Sequence, residues 1–369
     1  MTPYPSFQSI PINSRILVAL SGGVDSGVCA QLLTNAGYQV EGIHMSNWED
    51  DDGYCSAAED LEFANLLCEK LKIPLHQINF SSEYKEKVFI EFIDQLNHGL
   101  TPNPDIACNT YIKFGALRDY GRKLDATILA TGHYAKIIKN NDQTELHTSI
   151  DDNKDQTYFL YDLTQEQLSN IFFPLGDVLK NDVRAIAKRF GLPMAEKKDS
   201  TGICFIGERP FKDFLLKYIS KKVGYITDIK GNKIGEHIGL PFYTLGQRQG
   251  LKIGGIKGGS EKPWFVAKKN YDNNTLIAVQ GSDHPMLFSH KLTFIKANWI
   301  NEINIFDGLT LSARIRHRQK LQDCLVEQQS DQMYSVTFSN SQRAITPGQH
   351  IVLYSGTQCL GGGVIHSQL

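Results

Sequence analysis

Six residues near the start of the chain, Ser21-Gly22-Gly23-Val24-Asp25-Ser26, stand between an apolar run, Ile16 to Leu20, and a stretch of helical spacing closed by Gly37. Glycines lacking a Cβ let backbone N–H groups turn inward, and the start of the following helix adds unpaired donors with partial positive charge. Such a turn suits a pyrophosphate. The loop has no Lys after its second Gly, as a Walker-type loop does, and no G-x-G-x-x-G fingerprint. Its two hydroxyls and one carboxylate, Asp25, which is able to hold Mg2+, suit a site that grips the β and γ phosphates as a leaving group. That reading is AMP transfer rather than phosphoryl transfer. The plainer alternative is a tight strand-to-helix turn capped by Asp25 or Ser26.

Two cysteines have settings that suit sulfur chemistry. Cys108 closes Asn103-Pro104-Asp105-Ile106-Ala107-Cys108, ahead of an amphipathic segment from Thr110 to Leu124. A thiol at a helix start has a lowered pKa, and Asp105, one turn away, could order a substrate or move a proton. Cys204 lies in a Gly-flanked loop, Asp199-Ser200-Thr201-Gly202-Ile203-Cys204-Phe205-Ile206-Gly207. Loops of this kind often carry function, and the two thiols could form a nucleophilic pair; plain packing is the alternative for each. Cys29 and Cys68 in helical patterns, and Cys324 and Cys359 in β-rich runs, read as buried hydrophobes, and Cys55 stays unassigned. Seven cysteines with no C-x-x-C pair fit neither a disulfide framework nor a zinc site.

The elements that must position these groups follow from periodicity. From Arg15 to about Thr131, short apolar runs (Ile16 to Leu20, Val40 to Met45, Leu75 to Phe80, Ala126 to Thr131) alternate with helical spacings around Ala57 to Leu71 and Tyr84 to Leu96. That is an α/β pattern with a parallel sheet, whose ligands bind beyond the carboxyl ends of the strands. A polar hairpin from Ile137 to His147 follows, then a helix with Val183, Ile186, Ala187 and Phe190 on one face, which Asp177 is placed to cap. Glycines cluster from Gly224 to Gly259 in a small mixed or β-rich module, and alternating runs after Leu292 read as a small β-barrel. There Arg314, Arg316, Arg318 and Lys320 occupy every second position, so on a strand they form one basic face, suited to a phosphate backbone or simply to solvent. A net charge of −2 leaves any nucleic-acid partner to such local patches. No membrane span, secretory signal or Arg-rich transit peptide is apparent, which points to the cytoplasm.

Taken together, Ala19-Leu20-Ser21-Gly22-Gly23-Val24-Asp25-Ser26, Asn103-Pro104-Asp105 with Cys108-Asn109, Ala130-Thr131-Gly132-His133-Tyr134-Ala135, Lys154-Asp155-Gln156-Thr157-Tyr158 and the Ser200 to Gly207 string closely resemble the bacterial tRNA-specific 2-thiouridylases. The resemblance implies three parts: a PP-loop (adenine nucleotide alpha hydrolase-like) catalytic domain over 1–208, a central tRNA-binding domain over 209–282, and a C-terminal β-barrel over 283–369. It implies ATP-dependent 2-thiolation of the wobble uridine of tRNAs for Lys, Glu and Gln, fed by a sulfur-donor protein downstream of a cysteine desulfurase. By motif, Ala19 to Ser26, Met45 and Gly132 would bind ATP. Asn103, Pro104 and Asp105 would meet the target base, Cys108 would be the nucleophile, and Cys204 would carry a persulfide. His133, Lys154, Asp155, Gln156, Arg316, His317 and Gln349 would contact tRNA. His317 departs from the Tyr of the family's Arg-Tyr-Arg run. Two other readings share the loop: a small-molecule ligase that adenylates a carboxylate or carbonyl, and a nucleotide-gated RNA-binding protein without catalysis.

Overall fold

The computed structural model describes Phe7 and residues 10–48, 57–140, 143–199, 210–254, 262–303 and 308–369. The first part is built on strands β1 (Arg15–Ala19), β2 (Gln39–Ser46), β3 (Leu75–Asn79) and β4 (Ile128–Ala130), and then, beyond a hairpin of β5 (Ala135–Asn140) and β6 (Gln143–Thr148), on β7 (Ile171–Phe172). They form one parallel sheet in the order β3-β2-β1-β4-β7. β1 is apolar throughout its middle because both faces are covered. Ile16 and Val18 turn to the side of helices α1 (Val24–Asn35), α2 (Ala57–Leu71) and α3 (Lys180–Arg189), while Leu17 joins the core that holds Phe89, Ile112 and Phe114. Sequential strands run outward from β1 to β2 and β3, and then the chain returns to lay β4 on the other side of β1. The sheet's topological switch point therefore lies between β1 and β4, where a ligand crevice opens beyond the strand ends.

The cap expected from Asp177 is absent. Asp177 pairs with Lys136 at 2.8 Å, and Asp151 Oδ2 accepts from the Lys180 N–H at 2.9 Å at the start of α3 instead. A carboxylate from a distant loop thus satisfies the orphan donor that a local side chain was expected to take.

The middle of the chain is a mixed four-stranded sheet of β8 (Gly224–Thr227), β9 (Lys233–His237), β10 (Trp264–Asn270) and β11 (Thr275–Gln280), in the order β10-β11-β8-β9. The Phe211–Leu215 helix ties it to the first part, with the Phe214 ring 6.1 Å from Trp48 and 6.0 Å from Phe89.

Strands β12 (Phe288–Trp299), β13 (Leu309–Arg314), β14 (Gln322–Ser330), β15 (Met333–Arg343), β16 (His350–Ser355) and β17 (Gln358–Gln368) follow. Pairing of β12 with β17 closes the order β12-β15-β14-β13-β16-β17 into the expected antiparallel barrel. Barrel closure removes the edges that an open sheet would expose. The hairpin β5–β6, from the first part of the chain, adds to this sheet through Leu146 opposite Cys359.

The basic row expected on one strand is not one. β13 ends at Arg314, which is buried, and the chain turns with Arg318 in the left-handed region at φ 64°. Arg316 bonds back to the Ala344 carbonyl at 2.6 Å. The strand stops because Asp155 draws Arg314 inward, and Gln319 Oε1 takes the Ile315 N–H at 2.9 Å, where a strand partner would have.

Candidate active site

The phosphate loop opens at the carboxyl end of β1 and sits at the switch point. Gly22 has φ 70°, and a Cβ there would lie 2.5 Å from the backbone of Asp60, so only glycine fits. Gly23 is the N-cap of α1 and no side chain caps it, which leaves the first-turn donors turned to the crevice and sets aside capping by Asp25 or Ser26. Ser26 Oγ donates to the Gly23 carbonyl at 3.1 Å and accepts from the Ser21 N–H at 3.2 Å, so the hydroxyl closes the turn on itself. Gly132, beyond β4, approaches so closely that a Cβ would stand 2.9 Å from Ser26 N and 3.0 Å from the Asp25 carbonyl carbon. His44 Nδ1 donates to the Leu20 carbonyl at 2.9 Å and so fixes the end of β2, where Met45 lies, to the start of the loop.

Asp25 anchors a charged cluster. Its Oδ1 accepts from Lys180 Nζ at 2.6 Å and from the Tyr134 hydroxyl at 2.9 Å. Lys180 also meets Asp199 Oδ1 at 2.8 Å, and Asp199 takes Lys154 Nζ at 2.7 Å and the Arg184 guanidinium besides. Burial pushes the Asp199 carboxyl up, but the bonds from Lys154 and Lys180 more than offset it and hold the group well below the usual carboxylate range. Among the described residues nothing bonds to Asp25 Oδ2, an oxygen whose chemistry would suit a hard cation such as Mg2+.

Asn103 caps the Pro104–Ala107 helix, its Oδ1 accepting from the Asp105 N–H at 3.2 Å. Cys108 follows as the first residue of a π-helical stretch, Cys108–Leu117, and is only 1% exposed. It thus lies beyond the first turn, where the helix start expected to activate it has less influence. π segments interrupt helices most often at functional sites. Asp105 and Cys108 are three residues apart and share a helix face. Cys204 and Cys55 lie outside the described residues, whereas Cys29, Cys68, Cys324 and Cys359 are buried, as their patterns lead one to expect.

Three family models divide the chain: a tRNA methyl transferase HUP domain over residues 14–208, a tRNA methyl transferase PRC-barrel domain over 212–280, and an aminomethyltransferase beta-barrel domain over 289–365. The chain is 51% identical over 360 residues to the tRNA-specific 2-thiouridylase MnmA of Pseudomonas savastanoi pv. phaseolicola, covering 96% of each. It is 51% identical over 356 residues to the protein of the same name from Francisella tularensis subsp. holarctica, covering 96% of this chain and 99% of that one. The chain belongs to the tRNA-specific 2-thiouridylase family. Solved structures similar to this family member include the U34-tRNA thiolase NcsA from Methanococcus maripaludis, at 18% identity and TM-score 0.36 over 56% of this chain and 67% of that one. A 4-thiouridine synthetase–RNA complex with bound ATP gives 15% identity and TM-score 0.33 over 55% and 49%.

In this thiouridylase-family chain, the residues expected at tRNA gather where the first part meets the barrel, and most are engaged inside the protein. Asp155 is 1% exposed and pairs with Arg314 at 2.5 Å, accepting also from Thr157 Oγ1 at 2.8 Å. Its carboxylate therefore supports the loop from inside the protein. Gln156 is locked to Tyr134 by two bonds of 2.9 Å. Gln349 donates to the Thr101 carbonyl at 2.7 Å, and so the barrel holds the segment leading to Asn103. His133 packs between Phe114 and Phe173 with Nδ1 2.7 Å from Thr131 Oγ1, and burial keeps it neutral. The His317 ring centre lies 4.5 Å from that of Phe159, and burial together with Arg318 pushes it down to about 4, so the ring is uncharged near neutral pH. Lys154, Gln156, Arg316, His317 and Gln349 are all partly exposed, and the Lys154 ammonium is held by Asp199.

Sequence reasoning missed Lys180, Tyr134 and Asp199 as members of the loop's charged cluster. For Lys180 there was a signal: it is the first residue of α3, where the helix macrodipole disfavours a cation.

Proposed function

We propose that the chain is an ATP-dependent tRNA sulfurtransferase that replaces the C2 oxygen of a wobble uridine with sulfur. The observation that carries it is the phosphate loop pressed against Gly132 at the sheet's switch point, in a chain sharing half its residues with thiouridylases over nearly its whole length. The tRNAs are those for Lys, Glu and Gln, a donor protein supplies the sulfur, and the compartment is the cytoplasm. No helix among the described residues is long and apolar enough to cross a membrane.

The C2 oxygen of uridine is a poor leaving group. In the proposed reaction it attacks the α-phosphate of ATP, the bond from Pα to the bridging oxygen breaks, and pyrophosphate leaves. Residues 19–26, Met45 and Gly132 would hold the nucleotide, Asp25 would hold a Mg2+ that supplies charge neutralisation at the phosphates, and Asn103, Pro104 and Asp105 would hold the base, with Asp105 placed to move a proton. The persulfide on Cys204 then delivers sulfur to C2, and AMP departs with the original oxygen. The Cys108 thiolate attacks the inner sulfur of Cys204, forming a disulfide and freeing the transferred sulfur, whether this precedes or follows bond formation at C2. Each turnover leaves one disulfide, which an external dithiol reduces with two electrons. Lys154, Arg316, His317 and Gln349 would contact the tRNA.

Nucleoside mass spectrometry of tRNA incubated with protein, ATP, magnesium and a persulfide donor tests the reading. Cys204→Ser should yield no 2-thiouridine while binding ATP as before. Unchanged thiolation by that variant would remove the persulfide from the mechanism, and pyrophosphate release without any thiolation by the intact protein would favour the ligase.

A further inference from the structure

We propose that Lys180 is the cation of the nucleotide site, releasing Asp25 to bind the β,γ-phosphates of ATP and neutralising pyrophosphate as it departs. The proposal rests on the assignment of ATP to the phosphate loop and adds a residue that no motif supplies. The loop itself contains no Lys or Arg. A triphosphate brings several negative charges, and backbone dipoles with one metal ion leave part of that charge uncompensated. The fold brings Lys180, 155 residues after Asp25 in sequence, to within 2.6 Å of the loop's one carboxylate.

Three features set this lysine apart from an ordinary ion pair. It is 8% exposed, so a structural role would have been met more cheaply by an apolar side chain. It occupies the first position of α3, against the helix dipole, with its own N–H already held by Asp151. Among the described residues the cluster is also unbalanced: Lys154, Lys180 and Arg184 surround Asp25 and Asp199, three cations to two carboxylates, beside a turn whose Gly22 excludes a side chain. The surplus positive charge thus lies beside Asp25 of the turn that would receive a polyanion. Asp199, fixed by Lys154 and Arg184, acts as a positioning residue that keeps the ammonium near the loop when a metal ion takes Asp25.

Calorimetric titration of the full chain with Mg-ATP, pyrophosphate and adenosine tests this. Lys180→Met should weaken ATP and pyrophosphate at least tenfold and leave adenosine within twofold, with Lys180→Arg restoring most of the loss. Equal losses for ATP and adenosine would make Lys180 structural, and unchanged ATP affinity would place it outside the site; either overturns the proposal. Failure of the unaltered protein to bind ATP would instead overturn the nucleotide assignment. A measurement on the unaltered protein guards against a variant that does not fold. An ATP analogue bearing an aldehyde on its terminal phosphate forms an imine with a nearby lysine, with loss of water, and borohydride fixes it. Peptide mass spectrometry should find the label on Lys180 and excess ATP should block it; labelling confined to other lysines refutes the assignment.

Discussion

Removing one member of the Asp155–Arg314 pair should destabilise the protein far more than removing both. Asp155 has no exposed side-chain surface and Arg314 has 7%. Burial raises the Asp155 carboxyl, and the bonds from Thr157, Arg314 and Ser149 offset that only in part, so the pair carries a net desolvation cost. An uncompensated buried charge costs about 3–5 kcal/mol, whereas replacing a buried pair by neutral groups is often neutral or stabilising. Arg314→Met leaves the carboxylate stranded and should lose about that much. Asp155→Asn keeps one oxygen for the Ser149 N–H and turns an amide N–H toward Thr157 Oγ1, which can accept it, but strands the guanidinium and should lose a similar amount. The double variant should recover most of the loss, a coupling of about 3 kcal/mol or more.

Urea unfolding followed by fluorescence, with slopes compared to confirm one transition, gives the four corners of the cycle. tRNA affinity, measured where all four proteins are folded, separates the two roles proposed for Asp155. A clamp predicts affinities within about twofold for the double variant, because neither group meets solvent. If Asp155→Asn changes stability by less than about 0.5 kcal/mol and lowers tRNA affinity tenfold, the clamp reasoning is wrong and Asp155 is a contact.

Gly132→Ala places a methyl 2.9 Å from Ser26 N, and backbone cannot move aside cheaply, so the phosphate loop must shift; calorimetry should show ATP affinity at least tenfold lower, and an unchanged value would refute the close approach. Burial pushes His350 down to about 3, with its Nδ1 2.7 Å from the Tyr161 hydroxyl. Its stabilising effect is therefore complete above the ordinary value of about 6.5 and is lost as pH falls toward 3, reaching roughly 2 kcal/mol by pH 5. His350→Gln should flatten the drop in urea midpoint between pH 7 and pH 5 by that amount, and an identical drop in both proteins would show that His350 does not titrate on unfolding.

The parallel sheet was legible because its signals are local. Ile16 to Leu20 reads as a strand buried on both faces, and the Ser-Gly-Gly turn marks where it ends. The alternation of Arg314, Arg316, Arg318 and Lys320 is as regular as any strand, yet it misleads, because the partner that ends the strand is Asp155, 159 residues away. Asp177 fails as a cap for the same reason: Asp151, from another loop, reaches the Lys180 N–H first. Pattern reading finds elements whose cause lies within a few residues, and it misses charges whose partners are chosen by topology.

That distinction also explains how the site is assembled. The loop that would hold phosphates belongs wholly to the parallel sheet, but the segments flanking the expected base site are held by the barrel. Gln349 bonds to Thr101 ahead of Asn103, the Pro347 carbonyl takes the Thr101 N–H at 2.9 Å, and Arg314 fixes the loop after Lys154. Tyr158 hydroxyl donates to the His350 carbonyl at 3.0 Å in the same junction. A barrel that only bound RNA could be tethered by a linker. One whose side chains set the position of the Asn103–Cys108 segment is part of the machinery that aligns the reacting groups. In the proposed reaction it must form correctly before the base and the Cys108 thiol are brought together, since a misplacement of about 1 Å at a reacting centre costs on the order of a hundredfold in rate.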